Sequence, residues 1–77
     1  MTTRGEAVAA GKRLLRAFAG APDPRRHAQT LYAELSRAEG WSEKELDLIL
    51  GLGAWLKARP SVAKLKPRCE QVMAALR

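Results

Sequence analysis

Apolar residues recur along this chain at intervals of three and four positions, and no stretch alternates between apolar and polar residues as a β-strand would. The first two helices are predicted from this spacing and from their boundaries. One begins at Thr3 and stops at Gly20, and the next begins at Asp23 and stops at Gly40. Thr3 and Asp23 are residue types that accept hydrogen bonds from the unpaired N–H groups of a first helical turn.

A third helix is predicted from Ser42, which forms a capping-box pattern with Glu45, to Pro60. A fourth runs from about Pro67 to the end of the chain, and residues 61–65 would add a short helical turn before it. The apolar stripe of the fourth helix consists of Cys69, Val72, Met73 and Leu76. We therefore expect one all-α domain over residues 1–77, a compact antiparallel array of four short helices or, counting the extra turn, five.

The number and distribution of apolar residues bear on the stability of the domain and on its cellular location. A domain of 77 residues buries only about 60% of the surface of its unfolded chain, so association with a partner would add useful burial. Cys69 is the only cysteine, which excludes an intrachain disulfide, and we expect it to act as a small buried hydrophobe. There is neither a secretory signal pattern nor a membrane-spanning stretch of about 20 apolar residues, so a cytoplasmic protein is expected.

Charged residues are sorted into three blocks along the chain. Residues 1–33 carry a net charge of +4, residues 34–56 carry −3, and residues 57–77 carry +5, within a total of +6. A basic–acidic–basic order can attract a polyanion to two regions and repel it from the third. It can equally serve solubility or self-association.

Two groups of basic residues are candidate phosphate ligands. Arg25 and Arg26 fall in the predicted first turn of the second helix, where the helix dipole disfavours cations but where guanidinium and N–H groups together can hold an anion. The second group lies in a turn-rich segment without acidic residues and comprises Lys57, Arg59, Lys64, Lys66 and Arg68. For both groups, an ordinary solvated surface is the alternative interpretation.

The third helix is apolar on two sides. One predicted face consists of Leu46, Ile49, Leu50, Gly53 and Leu56, and the other of Leu48, Leu52 and Trp55. A central helix buried against its neighbours is the favoured interpretation. Alternatively, Leu48, Leu52 and Trp55 form a dimer or partner surface, because tryptophan is common at the centre of protein interfaces.

Several function classes find no support in the residues. A helix-turn-helix reader is disfavoured because Glu43, Glu45 and Asp47 would place negative charge at the phosphates beside the major groove. The sequence has no nucleophile paired with a base and no phosphate-binding loop. It also lacks a set of metal ligands, since the chain has one histidine and one cysteine. We therefore expect no enzyme activity, no cofactor and no metal.

The sequence favours a small regulatory or accessory module that binds nucleic acid or a nucleoprotein complex through its basic groups. Recognition would be directed to the phosphate backbone, because few aromatic residues are available for base stacking. The alternative is a protein-interaction adaptor or inhibitor that self-associates through the third helix.

Overall fold

A computed structural model describes residues 2–76 and confirms the all-α prediction. Within residues 2–76 there are four α-helices, and a 3-10 turn, Phe18–Gly20, follows the first of them. The helices are α1 (Arg4–Arg16), α2 (Pro24–Arg37), α3 (Glu43–Lys57) and α4 (Val62–Ala75). None of them is long and apolar enough to cross a membrane, taking the described residues as a whole.

Consecutive helices run antiparallel, and contacts at one end of the bundle show this directly. Thr3, before α1, forms an isolated bridge with Glu39, after α2. Arg4 donates to the Glu45 carboxylate in the first turn of α3 and to the carbonyl of Leu76 after α4. The beginnings of α1 and α3 and the ends of α2 and α4 therefore meet at the same end.

The predicted N-caps are present at Thr3, Asp23 and Ser42. Each side-chain oxygen accepts a hydrogen bond from the backbone N–H three positions on, at 3.2 Å. The carboxylate of Glu45 also accepts from the backbone N–H of Ser42 at 3.0 Å, which completes the capping box of α3. The helix starts are thus set by short-range hydrogen bonds.

The core is small and wholly apolar among the described residues. Its fully buried large side chains are Leu31, Leu35, Ile49, Leu52, Leu65, Leu76 and Cys69. Burial raises the pKa of the Cys69 thiol to about 11. The expectation that Cys69 packs as a hydrophobe is therefore confirmed.

The prediction for the beginning of α4 is wrong. The helix begins at Val62, continues through Pro67, and has no separate helical turn before it. Pro67 lacks the N–H that would bond to the carbonyl of Ala63, but both residues are exposed, so water can reach that carbonyl. Leu65 belongs to the same buried stripe as the apolar residues after the proline, and this packing holds the first turn in helical form.

The predicted faces of α3 need correction as well. Its buried side consists of Ile49, Leu52, Gly53 and Leu56. Leu46 and Leu50, assigned to the core face, are 40% and 52% exposed. The rotation of the helix follows from Gly53: a Cβ at this position would lie 2.5 Å from Cζ of Tyr32, so the glycine is what lets the tyrosine ring of α2 reach the α3 backbone.

Candidate nucleic-acid interface

The end of the bundle opposite the Arg4–Glu45 contact collects basic side chains from all four helices. Here α1 and α3 finish while α2 and α4 begin, and we call this region the basic end. It comprises Arg13, Arg16, Arg25, Arg26, Lys57, Arg59 and Lys64. Asp23 and Glu34 are acidic residues nearby: the Asp23 carboxylate is engaged in capping α2, and Glu34 lines the same pocket as Arg13. The fold therefore concentrates positive charge that is dispersed along the chain.

The other end carries the acidic residues of the helix termini that meet there. Glu6 and Glu45 lie in the first turns of α1 and α3, and Glu39 follows α2. Glu43 begins α3. Arg4, Arg37 and Lys44 lie at this end too, so its charges nearly cancel. The basic–acidic–basic order of the sequence thus becomes a bundle with one basic end and one end of mixed charge, which would orient it in the field of a polyanion.

Arg25 and Arg59 are two predicted phosphate ligands, from separate basic groups of the sequence, that the structure places at one recess. They are 34 positions apart in the sequence, yet both line one recess of about 290 Å³ between the beginning of α2 and the α3–α4 turn. The remaining lining residues are Gln29, Leu56, Pro60 and Leu65. Both arginine side chains are exposed, so each guanidinium group can bind an anion with charge-assisted hydrogen bonds.

Arg59 is placed at the recess by an unusual backbone conformation. Its φ of 54° lies in the left-handed region, just after the C-cap residue Ala58, and its N–H donates to the carbonyl of Leu56 at 3.2 Å. Glycine is the usual residue at this position, and a side chain here costs about 1–2 kcal/mol. No local signal in the sequence indicated this geometry.

Two of the remaining predicted ligands, Lys66 and Arg68, do not form one surface with this recess. Residues two apart on a helix point about 200° away from each other, so Lys64 and Lys66 lie on different sides of α4. Arg68 shares the side of Lys64, but its guanidinium group lies over the ring of Trp55, 5.4 Å from the centroid. Arg26, Lys57 and Lys64 remain at the basic end, whereas Lys66 and Arg68 lie apart from it.

His27 follows the two arginines but faces the interior of the bundle. Its Nε2 lies 2.5 Å from the carbonyl oxygen of Leu14, and its ring meets the ring of Phe18 edge-on with centroids 5.1 Å apart. Because a carbonyl oxygen can only accept, Nε2 is the nitrogen that carries the hydrogen. His27 therefore joins α2 to the end of α1 instead of adding to the anion site.

The residues predicted as a partner surface are separated by the structure. Leu48 is 42% exposed and Trp55 is half-buried beneath Arg68. Leu52 is fully buried in the core, so its assignment to that surface is wrong. Gly51, a glycine that the sequence associates with close helix contact but that was not among the predicted partner residues, lines the same groove as Leu48.

Among the described residues, no group of three histidine, cysteine or carboxylate side chains is placed to hold a metal ion. Comparison with known proteins gives no match: no protein-family model, no curated protein and no solved structure is significantly similar to this chain. The positions of the chain's own residues in the fold, above all at the basic end, are therefore what indicates a function.

Proposed function

We propose that this protein is a small non-enzymatic module that binds nucleic acid, alone or within a nucleoprotein complex, through its basic end. The observation that supports this most strongly is the shared recess of Arg25 and Arg59, which two distant basic blocks of the sequence jointly build. Arg26, Lys57 and Lys64 extend the positive surface around it. A cytoplasmic location, where Cys69 stays reduced, belongs to this proposal.

Binding at this end would be directed to phosphates more than to bases. Helix termini and a turn form the basic end, so no long helix face is available to enter a major groove. Phe18 is buried, and the other three aromatic residues are half-buried against the core, which leaves no exposed platform for base stacking. Such contacts give weak sequence preference and strong dependence on salt.

Fluorescence anisotropy with labelled duplex DNA and structured RNA tests the proposal. Measurements at about 50 and about 200 mM salt should show affinity falling by at least about tenfold, as expected when several phosphates are contacted. An absence of binding at the lower salt concentration would contradict the proposal. Affinity that is independent of salt would contradict it too, because phosphate contacts release counterions.

A protein-interaction adaptor or inhibitor is the second candidate function. It is favoured by a specific observation: the exposed Leu48 and the half-buried Trp55 lie two turns apart on the side of α3 that faces α4. This surface is distinct from the basic end, so the two activities can be tested separately.

A further inference from the structure

A second surface of the molecule is the groove between α3 and α4. One part, of about 470 Å³, is lined by Lys44, Asp47, Leu48, Gly51 and Arg68. The groove continues along α4 past Gln71, Val72 and Ala75. Its floor is mainly apolar, and charges of both signs stand at its edges.

Gly51 has no packing role within the described part of the chain. A Cβ at this position would meet nothing within 4 Å, whereas a Cβ at Gly53 would clash with the Tyr32 ring. Glycine inside a helix costs about 1 kcal/mol relative to alanine. Close approach of another helix is a physical reason for a glycine at such an exposed position.

The residues around Gly51 have the spacing of a helix-pairing stripe. Lys44, Leu48, Gly51, Trp55 and Ala58 follow each other at alternating intervals of four and three. This is the interval of the contact positions in paired helices, and it places one continuous stripe along the groove side of α3. The groove is therefore shaped to receive a helix.

We propose that a second copy of this chain occupies the groove, with the two α3 helices packed antiparallel about a two-fold axis at Gly51. In that arrangement Asp47, one turn before Gly51, lies opposite Trp55, one turn after it, in the other copy. Arg68 stacks on Trp55, so Asp47 of each copy faces Arg68 of the other.

The charge of the groove supports a second copy over an unrelated helix. Asp47 and Arg68 line the same groove, yet they form no ion pair with each other among the described residues, so both charges remain available to a second copy. A two-fold axis supplies two equivalent Asp47–Arg68 pairs at once. The small core also leaves this domain with much to gain from burying Leu48 and Trp55.

Sedimentation velocity without nucleic acid tests this inference independently of the proposed function. The wild type should dimerise, and Gly51→Lys should raise the dissociation constant by at least about thirtyfold, as for loss of a central interface contact. Leu46→Lys is the matched control, because Leu46 is 40% exposed and points about 140° away from Gly51 around α3. This control should dimerise like the wild type, and circular dichroism should show both variants folded.

Charge exchange provides the decisive comparison. Asp47→Lys and Arg68→Glu should each weaken the dimer, and the double variant should regain affinity because the pairs are re-formed with opposite polarity. A wild type that is monomeric at high micromolar concentration would overturn the inference. So would a Gly51→Lys variant as dimeric as the Leu46→Lys control, since the interface would then lie elsewhere.

Discussion

Arg4 and Glu45, 41 positions apart, join the beginnings of α1 and α3 through a hydrogen-bonded ion pair in which Nη2 lies 2.6 Å from Oε2. The Arg4 guanidinium group also donates to the carbonyl of Leu76 and lies over the ring of Trp41, 5.6 Å from its centroid. Glu45 meanwhile caps α3 through Ser42. This cluster holds α1, α3 and α4 together at the end of the bundle opposite the basic end.

Acid should weaken the fold through Glu45. Hydrogen bonds from Arg4 and from the Ser42 N–H lower the pKa of Glu45 from 4.5 to about 2, so the folded state binds this proton less readily than the unfolded state. The contribution of the Glu45 carboxylate to the stability of the fold is complete above pH 4.5 and is lost as the pH falls towards 2. In urea denaturation, Glu45→Gln should unfold more easily at neutral pH and should depend less on pH across that range.

A double-mutant cycle separates the ion pair from the capping role of Glu45. If the Arg4 contact matters, Glu45→Gln should destabilise the Arg4→Gln variant less than it destabilises the wild type. If Glu45→Gln lowers the free energy of unfolding equally in the wild type and in the Arg4→Gln variant, Arg4 and Glu45 act independently.

Two glycines in the same helix should respond in opposite ways to alanine. Gly53→Ala brings a methyl group to 2.5 Å from the Tyr32 ring and should destabilise the fold by about 1–3 kcal/mol. Gly51→Ala meets open space and should stabilise the folded monomer by up to about 1 kcal/mol. Urea denaturation at low micromolar protein concentration measures both, and equal effects would contradict the packing of Tyr32 on α3.

Pro67→Ala should stabilise the protein. Because Pro67 lies inside α4, alanine restores a hydrogen bond to the carbonyl of Ala63. Alanine also makes the unfolded chain more flexible, which offsets part of this gain, so the free energy of unfolding should rise by about 1–2 kcal/mol. If α4 instead began at residue 67, proline would be well suited to the first helical position and the substitution would be neutral or destabilising. Thermal unfolding distinguishes the two outcomes.

Loss of Arg25 and Arg59 should weaken nucleic-acid binding for every sequence tested. The double alanine variant should bind less tightly, and the slope of log affinity against log salt should decrease by about 2 in magnitude. Arg37→Ala combined with Lys12→Ala removes the same charge from residues outside both the recess and the α3–α4 groove and is the matched control. Anisotropy titrations that show equal losses in the two double variants would argue for a net-charge effect without a site.

Cys69 should be inert in the folded protein. Its side chain is fully buried and its pKa is raised to about 11, so almost no accessible thiolate exists near pH 8. Reaction with a chromogenic disulfide reagent should be slow in buffer and rapid in concentrated urea. Fast reaction under native conditions would show that α4 opens readily or packs differently.

Local features of the sequence were the most reliable predictors. The caps at Thr3, Asp23 and Ser42 were recognisable because each involves a residue only three positions away. By the same local logic Pro67 was placed at a helix start, and this was wrong because burial of Leu65 with the rest of α4 outweighs one missing hydrogen bond. Local preference thus located the helices better than their exact beginnings.

The sequence by itself determined the helical class and the approximate positions of the helices, because periodicity and capping depend on residues a few positions apart. It also determined the buried role of Cys69 and the excess of positive charge, because these follow from local pattern and composition. The sequence already placed Ile49, Gly53 and Leu56 on the core face of α3. The tertiary structure decided that Leu52 completes this face while Leu46 and Leu50 are exposed, because the neighbouring helices set the rotation of α3. It also decided that Arg25 and Arg59 share a recess, because only the antiparallel packing of α2, α3 and α4 brings residues 34 positions apart to the same end.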